Sequence, residues 1–213
     1  MFIGHLALGF AAKKAAHRVP LVVLFAACQL ADLLWPVFLV LGIERVAIEP
    51  GVTAVTPLNF ISYPYSHSLV TLCLWGVAFG AIYVVLTRAH AAIALLLALL
   101  VVSHWVLDVV THRPDMPLAP GGSTKLGLGL WSSIPATIAV EAAMFAAGVW
   151  LYVGAAAPRT RGRTIGFWAL VAFLLIVYVA NVFGPPPPSV TALEWTAIAW
   201  SVLLLVWAWA IDR

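Results

Sequence analysis

The amino-acid sequence predicts an all-α, polytopic transmembrane helical bundle of about six spans, preceded by a short N-terminal re-entrant or half-length helix. Three observations lead there. Hydrophobic residues make up 64% of the 213, and the mean hydropathy is +1.06. Charged residues make up only 9%, where soluble domains carry about 25%. Apolar runs recur along nearly the whole chain, each long enough to cross a hydrocarbon core that needs roughly 20 helical residues. No room is left for a sizeable soluble domain, so 1–213 reads as a single integral membrane domain. Its motif-bearing part is 1–120 and additional spans fill 121–213.

Each element follows from apolar length and its interruptions. The first run, 2–12, is too short to cross, and Lys13 and Lys14 follow it instead of preceding it. That order is wrong for a cleaved signal peptide, so the segment is expected to stay, packed against other helices as a half-length or re-entrant element. Full spans are expected at 19–43, 66–86, 90–111, 132–153, 165–183 and 191–211. The prolines Pro185, Pro186, Pro187 and Pro188 predict a stiff turn between the last two. Trp35, Trp131, Trp150, Trp168, Trp195 and Trp207 fall near span ends or lipid-facing positions, as an aromatic belt requires.

The net charge of +3 and pI of about 9.1 come without a basic stripe interleaved with aromatics, which argues against nucleic acid. The basic residues read instead as topology signals. With six alternating spans, one side receives Lys13, Lys14, Arg18, Arg88, Arg159, Arg161, Arg163 and Arg213, and the other only Arg45, Arg113 and Lys125. The rich side is expected to be cytoplasmic. This puts the C-terminus inside and the connections at 44–65 and 113–131 facing out. Cys28 and Cys73 lie in apolar runs without metal-finger spacing and read as small core residues.

Several polar residues stand where apolar ones are expected. Asp32 lies inside a span, and an Asp at the middle of a membrane helix costs about 2.5 to 3.5 kcal/mol on insertion scales. Asp108 is the second. There His104, Asp108 and His112 follow at intervals of four, so their side chains share one helix face over two turns. Counting about 1.5 Å of rise per residue puts Asp32, His104 and Glu141 in one layer, with Asp108 slightly above. His67 starts about two turns higher unless Pro64 and the serines let its helix dip inward, and His5 lies below the layer or within it. Imidazole and carboxylate are usual ligands of zinc and other first-row divalent ions. A structural zinc site binds with about 10 to 16 kcal/mol, enough to offset two buried aspartates. His5, Asp32, His67, His104 and Asp108 are therefore the candidate ligands of a divalent metal, zinc by preference. A metal-free polar network or a proton relay is the alternative. His17 and His90, among basic residues at the boundary, read as interfacial.

With GHL at 4–6, ADLLWP at 31–36, SHSL at 66–69 and SHWVLD at 103–108, the chain resembles the YdjM-like family of inner-membrane-associated metal-dependent hydrolases, also described as LexA-binding. The resemblance covers about the first 120 residues. It departs at Leu34 and Trp35, where the family often has Asp and His, and at Ser62, where it often has a further His. A looser similarity, in the order His, Asp, His, His-x-x-x-Asp, links the chain to zinc-dependent phospholipase C and single-strand-specific zinc nucleases. That similarity implies that Asp108 is a bridging carboxylate.

Together with the resemblance these readings predict a membrane-embedded metal-dependent hydrolase acting on a lipid or lipid-linked (phospho)ester at the outer face of a bacterial inner (cytoplasmic) membrane, with membrane lipids as its surroundings. Glu141 is the candidate general base and His112 a catalytic or substrate-binding group at the outer mouth. Ser66 and Ser68 are candidates for orienting ligands or substrate, and Arg113 and Lys125 for holding an anionic head group. A transporter using the same residues for ion or proton coupling is the runner-up, although the sequence displays no inverted repeat or paired broken helices. A purely structural polar layer is the third reading, and oligomeric state leaves no mark on the sequence.

Overall fold

A computed structural model describes residues 1–156 and 160–212. Arg159 and Arg213, two of the expected topology signals, lie outside the described residues. The chain is an all-α bundle of nine helices among those residues: α1 (Ile3–Ala12), α2 (Leu21–Cys28), α3 (Leu30–Val40), α4 (Pro64–His67), α5 (Leu69–Thr87), α6 (Ala91–Thr111), α7 (Ile134–Ala156), α8 (Arg161–Phe183) and α9 (Val190–Asp212). The five helices α5 to α9 are long and apolar enough to cross a membrane, and α2 with α3 makes a sixth span if the bent pair is counted as one. Exposed Leu74, Val85, Ile176 and Val206 cover their outer faces, as lipid-facing positions do.

The expected single helix over 19–43 is broken. α2 and α3 meet at an angle of 60°, and the break falls at Gln29, whose φ of −106° and ψ of 7° leave the helical region. Pro36, the residue that the sequence marks as a breaker, sits inside α3 without ending it. Likewise 66–86 divides. α5 starts only at Leu69, capped by Ser68, whose Oγ accepts the Thr71 N–H at 3.3 Å. The Pro64-led turn α4 precedes it and carries His67.

Small residues set the closest packing, as is common between membrane helices. Gly76 and Gly80 of α5 lie against the backbone of Ala98 and Ala94 of α6, and Gly148 of α7 lies against that of Ala7 of α1, where a Cβ would collide with carbonyl oxygens. α9 packs along α2 and α3, and α8 chiefly along α9.

The connections at one end are folded. β1 (Arg45–Ile48) pairs antiparallel with β2 (Leu58–Ser62), and β3 (Met116–Pro117) with β4 (Lys125–Leu126). The Ala54 N–H donates to the Trp131 carbonyl at 3.0 Å, joining the two connections. The opposite end carries Lys14, Arg18, Arg88 and Arg161, all exposed. There Lys13 is buried. Its Nζ donates to Asp212 Oδ2 at 2.7 Å and to the Val19 carbonyl at 2.8 Å, and Asp212 Oδ2 also accepts the Leu21 N–H at 2.7 Å. The last helix is thereby tied to the turn between α1 and α2.

Candidate metal centre and cavity

The site begins with the break at Gln29. In a continuous helix the Cys28 carbonyl would accept the N–H of Asp32. Here it receives His104 Nδ1 at 2.8 Å. A carbonyl only accepts, so Nδ1 carries the proton, and in the neutral ring Nε2 presents a lone pair. His67 is held in the same sense. Ser66 Oγ donates to Glu44 Oε2 at 2.5 Å, so it accepts from His67 Nδ1 at 2.7 Å. Glu44, buried to 1% exposure, also accepts the N–H groups of Tyr65 and Ser66 on Oε1 at 2.8 and 2.9 Å. Both imidazoles thus have Nδ1–H engaged outward and Nε2 turned inward, the arrangement by which outer partners orient ligand histidines at metal sites.

The inward atoms converge on two carboxylates. His67 Nε2 lies 3.5 Å from Asp32 Oδ1 and 3.9 Å from Asp108 Oδ2, and His104 Nε2 lies 3.7 and 3.2 Å from the same atoms. Donor atoms around a tetrahedral ion with bonds of about 2.0 Å stand roughly 3.3 Å apart, so this spacing fits a small divalent cation. His5 Nε2 is 3.0 Å from Asp108 Oδ1, and its ring stacks on that of His104 with centroids 3.7 Å apart and planes within 4°. Two overlapping donor sets result, His5, His104, Asp108 and Asp32, His67, His104. His104 Nε2 and His5 Nδ1 are buried without a hydrogen-bond partner, the condition a buried polar atom avoids unless something else binds it. Asp108 Oδ1 also accepts from the Met1 amino group, which donates to Thr111 Oγ1 at 3.1 Å.

The cluster faces a cavity of about 290 Å³, which Asp32, His67 and Asp108 line together with Glu141 and His112. The Asp32 side chain is 43% exposed and that of Asp108 only 3%, so Asp32 is the open carboxylate. Glu141 Oε2 accepts the N–H groups of Phe2 and Gly4 at 2.8 and 3.1 Å. It caps α1, and only one of its oxygens is committed.

His112 ends α6. Its Nδ1 bonds Asp115 Oδ1 at 2.9 Å, where the Tyr63 hydroxyl also donates at 2.9 Å. Arg113 Nε donates to Asp115 Oδ2 at 3.1 Å, and its Nη2 to Asn59. The His112 ring rests against Trp131 with centroids 4.4 Å apart. Burial pushes this imidazole below its ordinary value despite the carboxylate beside it. Burial alone would raise Asp115, but the hydrogen bonds and charge of His112, with those of Tyr63 and Arg113, hold it below the usual range.

The structure therefore gathers His5, Asp32, His67, His104 and Asp108, with His67 dipping to their level on α4. Glu141 and His112 reach the cavity. Ser66 sits behind His67, whereas Ser68 caps α5. Arg113 and Lys125 are outside the cavity lining, Arg113 engaged by Asp115 and Lys125 exposed on β4. Trp35, expected as an interfacial anchor, is 7% exposed and lines the cavity. Glu44 and Asp115 were not singled out from the sequence. Asp115 has a signal there, three residues after His112, while Glu44 beside Arg45 has none. Compared with protein-family models, curated proteins and solved structures, the chain matches none.

Proposed function

We propose that this protein is a membrane-embedded hydrolase that uses a divalent metal, zinc by preference, to cleave a lipid or lipid-linked ester at the outer face of a bacterial cytoplasmic membrane. The observation that carries the reading is the paired orientation of His67 and His104, with Nδ1–H held outward and Nε2 brought to two carboxylates at a cavity wall. The motifs shared with the YdjM-like family support it. A bound divalent cation would supply an acidified water and polarise a phosphoryl or acyl oxygen. His5, Asp32, His67, His104 and Asp108 would hold it. The free oxygen of Glu141 would accept a proton from water entering the cavity and return it to the departing oxygen, and His112 Nε2, for which no partner is recorded among the described residues, would accept a hydrogen bond from the hydroxyl so released.

The excess of Lys and Arg at the end opposite the hairpins supports an outward-facing site with a cytoplasmic C-terminus. A cysteine placed at Gly122 should react with an impermeant thiol reagent in intact cells, and one at Gly162 should not. The test of function is hydrolysis of short-chain phospholipid and glycolipid esters by purified protein with and without chelator. Cleavage that chelation stops and zinc restores is expected. Metal without cleavage of any ester would move the reading to the runner-up.

That second reading, an ion- or proton-coupled permease, has one observation in its favour. The half-length α1 and the bent α2–α3 pair both start a helix at the cluster, as discontinuous helices do around transported ions. Ion flux into liposomes with intact lipids would select it.

A further inference from the structure

The inner cavity adjoins a second one of about 330 Å³, between the tip of the β1–β2 hairpin and the proline turn that links α8 to α9. Val55, Thr56, Leu58, Asn181 and Leu193 line both. Together the two cavities form one lining that extends from the hairpin end to the His and Asp cluster. Its chemistry is uniform in one respect. Among the described residues no lysine or arginine lines either cavity, and the outer one has no charged side chain at all. The polar groups offered are neutral: Thr53 and Thr56 of the hairpin, Asn181 of α8, Thr196 and Ser201 of α9, and Gln29 at the helix break. Aromatic faces alternate with them, from Trp35, Phe60, Trp131 and Trp200. Three of the lining side chains also leave a buried polar atom unpartnered, namely Gln29 Oε1, Trp35 Nε1 and Tyr178 Oη. Each such atom is unfavourable by about 1 to 3 kcal/mol until it finds a partner.

An anionic head group meets no lysine or arginine along this lining, the Met1 amino group is already held by Asp108 and Thr111, and Asp32, Asp108 and Glu141 repel such a group at the inner end unless a metal intervenes. A zwitterionic phosphocholine group has no N–H or O–H to donate, so it would leave acceptors such as Gln29 Oε1 and the Asn181 carbonyl unused. A polyhydroxylated group matches both donors and acceptors, and its C–H faces suit aromatic rings. The apolar remainder of the inner wall, Leu33, Val177, Leu193 and Leu204, takes a hydrocarbon chain.

We propose that the two cavities together form the head-group site for a lipid-linked saccharide, whose sugar extends through the outer cavity while its ester oxygen reaches the cluster. What happens at the cluster rests on the hydrolase reading, but the head-group preference does not. The test uses full-length protein in amphipol with chelator present, and three probes below micellar concentration: dodecyl maltoside, dodecylphosphocholine and free maltose. Two or three added hydrogen bonds should make the maltoside bind about tenfold or more tighter than the phosphocholine. Maltose without a chain should bind far more weakly than the maltoside. Asn181→Leu and Tyr178→Phe should each weaken maltoside binding about fivefold. Wild-type helical content by circular dichroism would report that both variants are folded. Equal affinity for the two dodecyl probes, or maltoside binding untouched in both variants, overturns the assignment. Maltose binding as well as its dodecyl derivative overturns the lipid-linked part in favour of a soluble sugar. Metal content, measured on protein purified without chelator, reports separately on the hydrolase reading.

Discussion

Lys13 with Asp212, and the histidines with Asp32 and Asp108, are both buried groups of ionisable side chains, yet they differ in how they are completed. The first is closed. One cation faces one anion, and the remaining hydrogen bonds of both go to the backbone at Val19 and Leu21. The second is open. His67 and His104 have committed their Nδ1 protons to Ser66 and Cys28, so lone pairs face the two carboxylates at 3.2 to 3.9 Å. Acceptors brought together in this way repel unless a cation lies between them. The Met1 amino group meets Asp108, but among the described residues no such cation stands beside Asp32 and the facing nitrogens of His67 and His104, so this part of the cluster could hold a cation that comes from outside.

Removing one partner separates the two cases. Lys13→Met leaves Asp212 with no cation in a partly buried place, and unfolding should become easier by about 3 to 5 kcal/mol, read as a lower midpoint in denaturant with metal content unchanged. A loss of metal with little loss of stability would reverse the roles assigned to the two groups.

A smaller effect is expected one step behind the cluster. Glu44→Gln keeps the size but weakens the acceptor that fixes Ser66, and through it the His67 ring. Metal affinity should fall about 10- to 100-fold while the fold persists, as a competition titration with a chromogenic chelator would register. An unaltered affinity would mean that His67 is oriented by α4 alone.

The smallest effect concerns pH at the hairpin end, in metal-free protein. His112 has a lowered value in the folded state, so the unfolded chain takes up its proton first. Its contribution is complete above the ordinary histidine value of about 6.5 and declines as pH falls below it. Asp115, also lowered, contributes above about 3.9 and loses that contribution on further acidification. The melting temperature should fall in two stages, and His112→Asn should remove the stage just below about 6.5. The same two stages in that variant would show that other groups set the profile.

Sequence reasoning reached the two regions unequally. The spans were legible because hydrocarbon thickness fixes their length, and His104 and Asp108 because a spacing of four defines a face. The break at Gln29 was not legible. The run through Phe25, Cys28 and Leu30 is interrupted only by Gln29, a good helix former, with neither glycine nor proline at the bend, and what the break supplies is a tertiary contact from Cys28 to His104 that lies 76 residues away. The depth of His67 depended on whether α4 would form, which turns on Glu44 capping it from 22 residues upstream. Trp35 was misplaced for a related reason. The bend turns its face of α3 toward the cavity, where a straight helix end would have put it at the interface.

The central claim, that the cluster is built around a metal cation, is tested most directly by metal analysis of the wild type and of Asp108→Asn, with the thermal stability of each after chelation. The Asp108 oxygens lie 3.0 to 3.9 Å from ring nitrogens of His5, His67 and His104, and the amide keeps its size while losing the charge. The wild type should carry a divalent metal close to stoichiometrically, and Asp108→Asn should lose most of it. Chelation should lower the melting temperature of the wild type and leave that of the variant unchanged. Wild-type protein without metal, together with a more stable Asp108→Asn, would contradict the account and show the cluster to be a proton-bearing polar network.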